Sequence, residues 1–120
     1  YCLHQLHETF RDVLERCTLI SFDLAAMRRA KHHFGFPTTG IVLRDWQNRN
    51  ELIRENLVDI AYINYQRIPG DEAIVASCPL VCYEIADITL AANILERGAA
   101  KIETFAIGEL IGALCKTNMM

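Results

Sequence analysis

Long hydrophobic runs are missing from this 120-residue chain, and no apolar stretch approaches the ~18 residues that a membrane span needs. An excess of positive charge is missing too. The formal net charge is −3 and the isoelectric point about 5.8, which argues against a nucleic-acid footprint or a polybasic membrane surface. Arg28, Arg29 and Lys31 form one short basic run, the usual look of a solvated helix face. Nor is there a paired-cysteine framework. Cys2, Cys17, Cys78, Cys82 and Cys115 are odd in number and irregular in spacing, and several lie in apolar runs. Reduced, buried thiols and a cytoplasmic location are therefore expected. Cys78 and Cys82 are the one close pair, and without a second pair or a His at zinc-finger spacing they predict no metal site. No charged segment followed by an apolar one marks a signal peptide. No low-complexity linker breaks the chain.

What is present is a globular composition, 52% hydrophobic and 22% charged. It suits one core and one domain over 1–120. From Leu3 to Arg16 the apolar residues Leu3, Leu6, Phe10, Val13 and Leu14 recur at three- and four-residue spacing, which predicts an amphipathic helix. A buried strand is predicted at 17–22, then a helix capped by Asp23 and stopped at Gly35. A second strand at 40–43 precedes a helix from Asn48 to Asn56 with Leu52, Ile53 and Leu57 inward. A third strand at 58–63 is followed, after Pro69-Gly70, by room for only a short helical turn from Asp71 to Ser77. Strands at 80–85 and 100–104 flank a helix from Asp87 to Arg97, and a helix from Ile107 to Cys115 closes the series. Short apolar strands alternating with helices predict an α/β fold with a parallel sheet, since parallel strands need crossovers that bury them. Periodicity leaves two closures open, a doubly wound sheet or part of a barrel.

Local strings bear on that choice. Leu19-Ile-Ser-Phe-Asp23 resembles the strand-end "SF" motif of the glycerophosphodiester phosphodiesterase family, and Thr39 to Leu43 and Val58 to Tyr62 resemble its next two strands. Leu80-Val-Cys-Tyr-Glu-Ile-Ala-Asp87 is similar to the family's "V-x-[WY]-T-V-N-[DK]" strand. Ile94 to Gly98 and Ala99 to Thr104 are similar to its "LL-x-x-G-V-D-x-I-x-T-D" strand. The resemblance implies the later portion, strands four to eight, of a (β/α)₈ TIM-type barrel of roughly 250 residues. In that family a His-Arg-Gly motif, a Glu-x-Asp pair, a second His and a Glu on strands one to three carry the chemistry. Carboxylates there hold Mg²⁺ or Ca²⁺ against a glycerophosphodiester, and two His act as acid and base. No segment here matches those motifs. The resemblance therefore implies a chain that is catalytically incomplete by itself, has no cofactor of its own, and associates with itself or with a missing N-terminal half. By position, Ser21, Phe22 and Tyr83 would line the glycerol side of the pocket, with Glu84 at its mouth. The family's Thr is Glu84 here, its Asn is Ala86, and the Asp of its "TD" is Phe105. A Glu at that mouth repels an anionic phosphodiester unless a cation offsets it.

Other polar residues have plain readings. His4, His7 and Glu8 sit at half-site spacing on a helix, but their flank reads as solvated. His32 and His33 diverge by about 100° on a helix and cannot chelate together; they fit a helix C-terminus. Glu84 and Glu103, each near a strand's C-terminal end, read either as a paired-carboxylate site or as solvated pocket edge. Besides the barrel portion, two alternatives stand. One is a non-catalytic barrel relative that binds or regulates. The other is a ligand-sensing module of the periplasmic-binding-protein type, to which Glu51 to Ile60 is similar.

Overall fold

The computed structural model describes residues 2–118. Five strands alternate with helices: α1 (Cys2–Thr9), β1 (Leu19–Ser21), α2 (Leu24–His33), β2 (Thr39–Leu43), α3 (Arg49–Asn56), β3 (Ile60–Asn64), β4 (Leu80–Tyr83), α4 (Ile88–Arg97), β5 (Lys101–Ile102) and α5 (Ile107–Asn118). Every strand pair is parallel, and the strand order is β1-β2-β3-β4-β5. The α/β class with a parallel sheet, expected from the apolar alternation, is what forms.

The register divides the strand residues between two faces. Ile41, Leu43, Ala61, Ile63, Leu80 and Cys82 share one face and belong to a single core with Met27 of α2, Ile53 of α3, Ala91 and Ile94 of α4 and Leu110 of α5. Four helices thus cover the same side. Crossovers of one hand between successive neighbouring strands require this. On the opposite face Val42, Ile60, Tyr62 and Tyr83 are only half-buried and Ile20 is 41% exposed. Tyr62 leans over Gly40 there, where a Cβ would stand 3.0 Å from the ring. The Cα extents are 51 × 33 × 16 Å, and the radius of gyration of 16.3 Å exceeds the roughly 14 Å of a compact domain of this length. The molecule is a thin slab of one sheet and one helix layer.

Local signals set the element ends. Asp23 accepts a hydrogen bond from the amide of Ala26 at 3.0 Å and Asp87 from that of Leu90 at 2.8 Å, the N-cap geometry worth about 1 kcal/mol each. Helix α4 stops at Gly98, whose φ of 127° belongs to glycine.

Several expectations need correction. The single helix from Leu3 to Arg16 is two pieces, α1 and a 3₁₀ segment at Arg11–Arg16, broken at Phe10. None of its residues is buried, so no packing enforces one continuous apolar stripe. Leu57 does not point inward; it is the left-handed C-cap of α3 at φ 52° and is exposed. The thiols are mostly not buried either. Cys82 is, but Cys2, Cys17 and Cys115 are exposed.

The helical turn from Asp71 to Ser77 is also absent. A 3₁₀ turn at Tyr65–Arg67 precedes an irregular strap over 68–79, held by side chains from elsewhere. Arg97 donates to the carbonyls of Pro69 (2.7 Å) and Glu72 (2.9 and 3.1 Å). Arg49, stacked 3.7 Å over the Trp46 ring, donates to the carbonyl of Val75 at 2.7 Å. Trp46 donates its indole N–H to Glu72 at 2.6 Å, and the Asn50 side chain accepts from the Ser77 amide at 2.8 Å. Ile68 and Ile74 anchor the strap in the core.

Candidate functional site

In parallel α/β sheets, ligands bind beyond the carboxyl ends of the strands. At that end β1 runs out at Ser21 and Phe22, β2 at Arg44 and Asp45, β3 at Asn64, β4 at Tyr83 and Glu84, and β5 at Glu103 to Phe105.

The β1 and β2 ends are largely self-satisfied. The Ser21 hydroxyl accepts the amide of Asp23 at 3.0 Å, which closes the turn into α2. The Arg44 guanidinium stands 4.4 Å from the Phe22 ring centroid. Asp45 accepts from the side chain of Asn48 at 2.6 Å and the amide of Gln47 at 3.0 Å, and the Asn48 bond chiefly holds its carboxyl below the usual range. Phe22, Val42, Arg44 and Leu52 line a small cleft of about 240 Å³.

The β4 and β5 ends are built differently. The ladder carries the Glu103 amide to the Cys82 carbonyl at 2.8 Å, and the Ile85 amide to the Glu103 carbonyl at 3.3 Å. A regular parallel ladder would use residue 84 for that second bond, so one residue is extra. That residue is Glu84, at φ 65°, a left-handed conformation costing an L-residue about 1–2 kcal/mol. The bulge ends β4 two residues before the strand end expected at 85. It also returns Ile85 to the core and leaves the Glu84 side chain where Asn64 Nδ2 donates to its Oε2 at 2.8 Å. Tyr83, Glu84, Ile102, Glu103, Phe105 and Ile107 line a cleft of about 500 Å³. Burial, and then the negative charge of Glu103, push the Tyr62 hydroxyl above its ordinary pKa.

The four residues expected at a pocket therefore fall into two places. Tyr83 and Glu84 share the larger cleft, while Phe22 lines the smaller one and Ser21 caps a turn. Strands β1 and β4 are three strand spacings apart, roughly 14 Å. Glu84 and Glu103 do line one cleft. Sequence reasoning missed Asn64, whose signal was its place as the last residue of β3, in register with Tyr83. Among the described residues no three His, Cys, Asp or Glu side chains come together as metal ligands. His7 instead packs edge-on against Phe36 at 5.7 Å. No helix among the described residues is long and apolar enough to cross a membrane. No protein-family model, no curated protein and no solved structure matches this chain.

Proposed function

We propose that this chain is the later portion of a (β/α)₈ barrel of the glycerophosphodiester phosphodiesterase kind, and that it supplies one wall of a small-molecule pocket in the cytoplasm. The strand order carries the reading. Five parallel strands follow one another without reversal, as barrel staves do. An open doubly wound sheet reverses direction at the switch point where its ligand binds, so the order also favours a barrel over a periplasmic-binding-protein module. The face opposite the helices, with Ile20 exposed, Val42, Ile60 and Tyr62 half-buried and Val81 buried, has the bulky, branched character of a barrel interior. The one-layer slab lacks the enclosure that further strands would provide.

On this reading the hydrolysis of a glycerophosphodiester to glycerol 3-phosphate and an alcohol belongs to the complete protein. The His pair and the carboxylates that hold Mg²⁺ or Ca²⁺ would come from strands outside this sequence. This chain's own contribution is binding, by Phe22 on one side of the pocket and Tyr83 and Glu84 on the other. A non-catalytic relative is the second reading, favoured by the carboxylate of Glu84 and the ring of Phe105 at the pocket mouth. Sequencing the transcript upstream of the Tyr1 codon tests the proposal. A His-Arg-Gly and a Glu-x-Asp motif in frame are expected for the enzyme. Strands without them point to the non-catalytic relative, and the absence of any further strand–helix units overturns the barrel reading.

A further inference from the structure

The sheet is covered by helices on one side and open on the other, and among the described residues neither β1 nor β5 has a partner strand on its outer edge. The molecule exposes 7671 Å² for 13.6 kDa, about 1,100 Å² more than a compact monomer of that mass. A stable interface takes about 800 Å² from each partner, so one contact of ordinary size would absorb the excess. The two edges differ in shape. Beside β1 lies a groove of about 460 Å³ lined chiefly by Leu3, Leu6, Leu19, Ile20, Met27 and Phe34. Beyond β5, helix α5 presents Ile107, Ile111 and Leu114 at 59%, 52% and 46% exposure, an i, i+4, i+7 stripe of the kind that seats in an apolar groove. The edges also differ in charge. Arg44 reaches over Phe22 at the β1 edge, where Asp23 and Asp45 are already engaged by backbone amides and Asn48. Glu103 follows β5 at the other edge. Among the described residues neither Arg44 nor Glu103 is ion-paired.

We propose that two copies of this chain pair through their open faces about a two-fold axis that runs along the strands. All five strands point one way. Such an axis therefore brings β5 of one copy beside β1 of the other in the parallel sense, and does so twice. A two-fold across the strands would set them antiparallel and bring like edges together. In the parallel arrangement the α5 stripe of each copy seats in the groove of the other, and Glu103 of each meets Arg44 of the other. Both edges are then used, so the assembly closes at two copies. Edge hydrogen bonds contribute little, because β1 has three residues and β5 two. Burial of Ile20, Val42, Ile60 and the α5 stripe supplies the association. A lipid surface would call for a basic rim, whereas this chain carries a net charge of −3. The inference goes beyond the barrel reading, since it needs no strand from outside this sequence.

The test is the mass of the 120-residue chain in reducing buffer, measured by light scattering after size exclusion at about 100 μM, well above the micromolar range of weak dimers. Twice 13.6 kDa is expected. Ile20→Lys on the open face and Ile111→Lys on α5 should each weaken the dimer about tenfold or more. Both side chains are already partly in water, so the fold should survive, which far-ultraviolet circular dichroism checks. Val75→Lys, exposed in the strap and outside the contact, should leave the mass unchanged. Arg44→Glu should weaken the dimer, and adding Glu103→Arg to it should restore the affinity, because the exchanged charges meet again across both edges. A monomer at that concentration overturns the proposal and points to strands from outside the sequence as the cover. Species larger than two copies, a dimer indifferent to both lysine variants, or no recovery on the charge exchange would also overturn it. A monomer leaves the barrel reading standing, whereas a transcript without further strand–helix units overturns that reading and not this one.

Discussion

Gly98 packs directly beneath the backbone of Ile74, so close that a Cβ on Gly98 would stand 2.6 Å from the Ile74 carbonyl oxygen. The Ile74 amide donates to the carbonyl of Arg97 at 2.9 Å, so the end of α4 and the strap are joined backbone to backbone. Gly98→Ala meets both this clash and a φ of 127°, and a loss of about 2–4 kcal/mol is expected. Gly112→Ala, within α5 and with nothing inside 4 Å, should instead stabilise by about 0.5–1 kcal/mol. Urea unfolding midpoints of the two variants check the contrast, and equal effects would refute the packing argument.

Arg97 is the second tie between the same two segments. Arg97→Lys should not restore what Arg97→Met loses, because one ammonium cannot reproduce a planar fork that serves two carbonyls. Both variants are expected to lose about 1–3 kcal/mol. Both should also expose the Ile74 amide to hydrogen exchange before the β3 amides open. Uniform loss of protection across the sheet would show that the strap is not a separate unit.

Lys31 and Asp59 give an acid-sensitive link between α2 and the start of β3. Burial works against the Asp59 charge, but the hydrogen bond from Lys31 and that from the Thr39 amide outweigh it, so the carboxyl titrates below its ordinary value. A depressed folded pKa contributes stability above the unfolded value of about 3.9 and loses it as pH falls through the folded value. Asp59→Asn should therefore flatten the stability profile below about pH 4. At pH 7 the loss should stay under about 1 kcal/mol, because the pair is partly solvated. Denaturant midpoints from pH 2.5 to 7 test the sign; a steeper acid slope in the variant would contradict it.

The five thiols should react in two groups. Burial pushes Cys78 and Cys82 up to about 11, whereas Cys2, Cys17 and Cys115 are exposed. With a disulfide reagent at pH 8, the three exposed thiols should react promptly, whereas Cys78 should react slowly and Cys82 only on unfolding. Rapid labelling of Cys82 would show that the β3–β4 region opens readily.

Much of this architecture is legible in the residues, and the parts that are not share a cause. Runs such as Thr39 to Leu43 mark buried strands by composition, and Asp23 and Asp87 mark helix starts by a local bond three residues on. The strap has no such local signature. Its conformation is set with Arg49, Asn50 and Arg97, at least 20 residues away along the chain, so a window over 71–77 lacks the partners that hold it. Phe10 and Leu57 are in phase with their helices, but phase says nothing of whether a partner surface exists. At the candidate site, Tyr83, Glu84 and Glu103 could be placed at strand ends. The bulge that turns Glu84 toward Asn64 could not, because it appears only once β5 is paired alongside.

The strap has a last consequence for how the molecule opens. Helices and strands share their bonds along a periodic ladder, so one broken rung is protected by its neighbours. The stretch from Pro69 to Ser77 hangs instead from the side chains of Arg97, Trp46, Arg49 and Asn50 and from a single backbone bond, Ile74 to Arg97. A connection held this way is expected to open, and to admit a protease, before the five paired strands part.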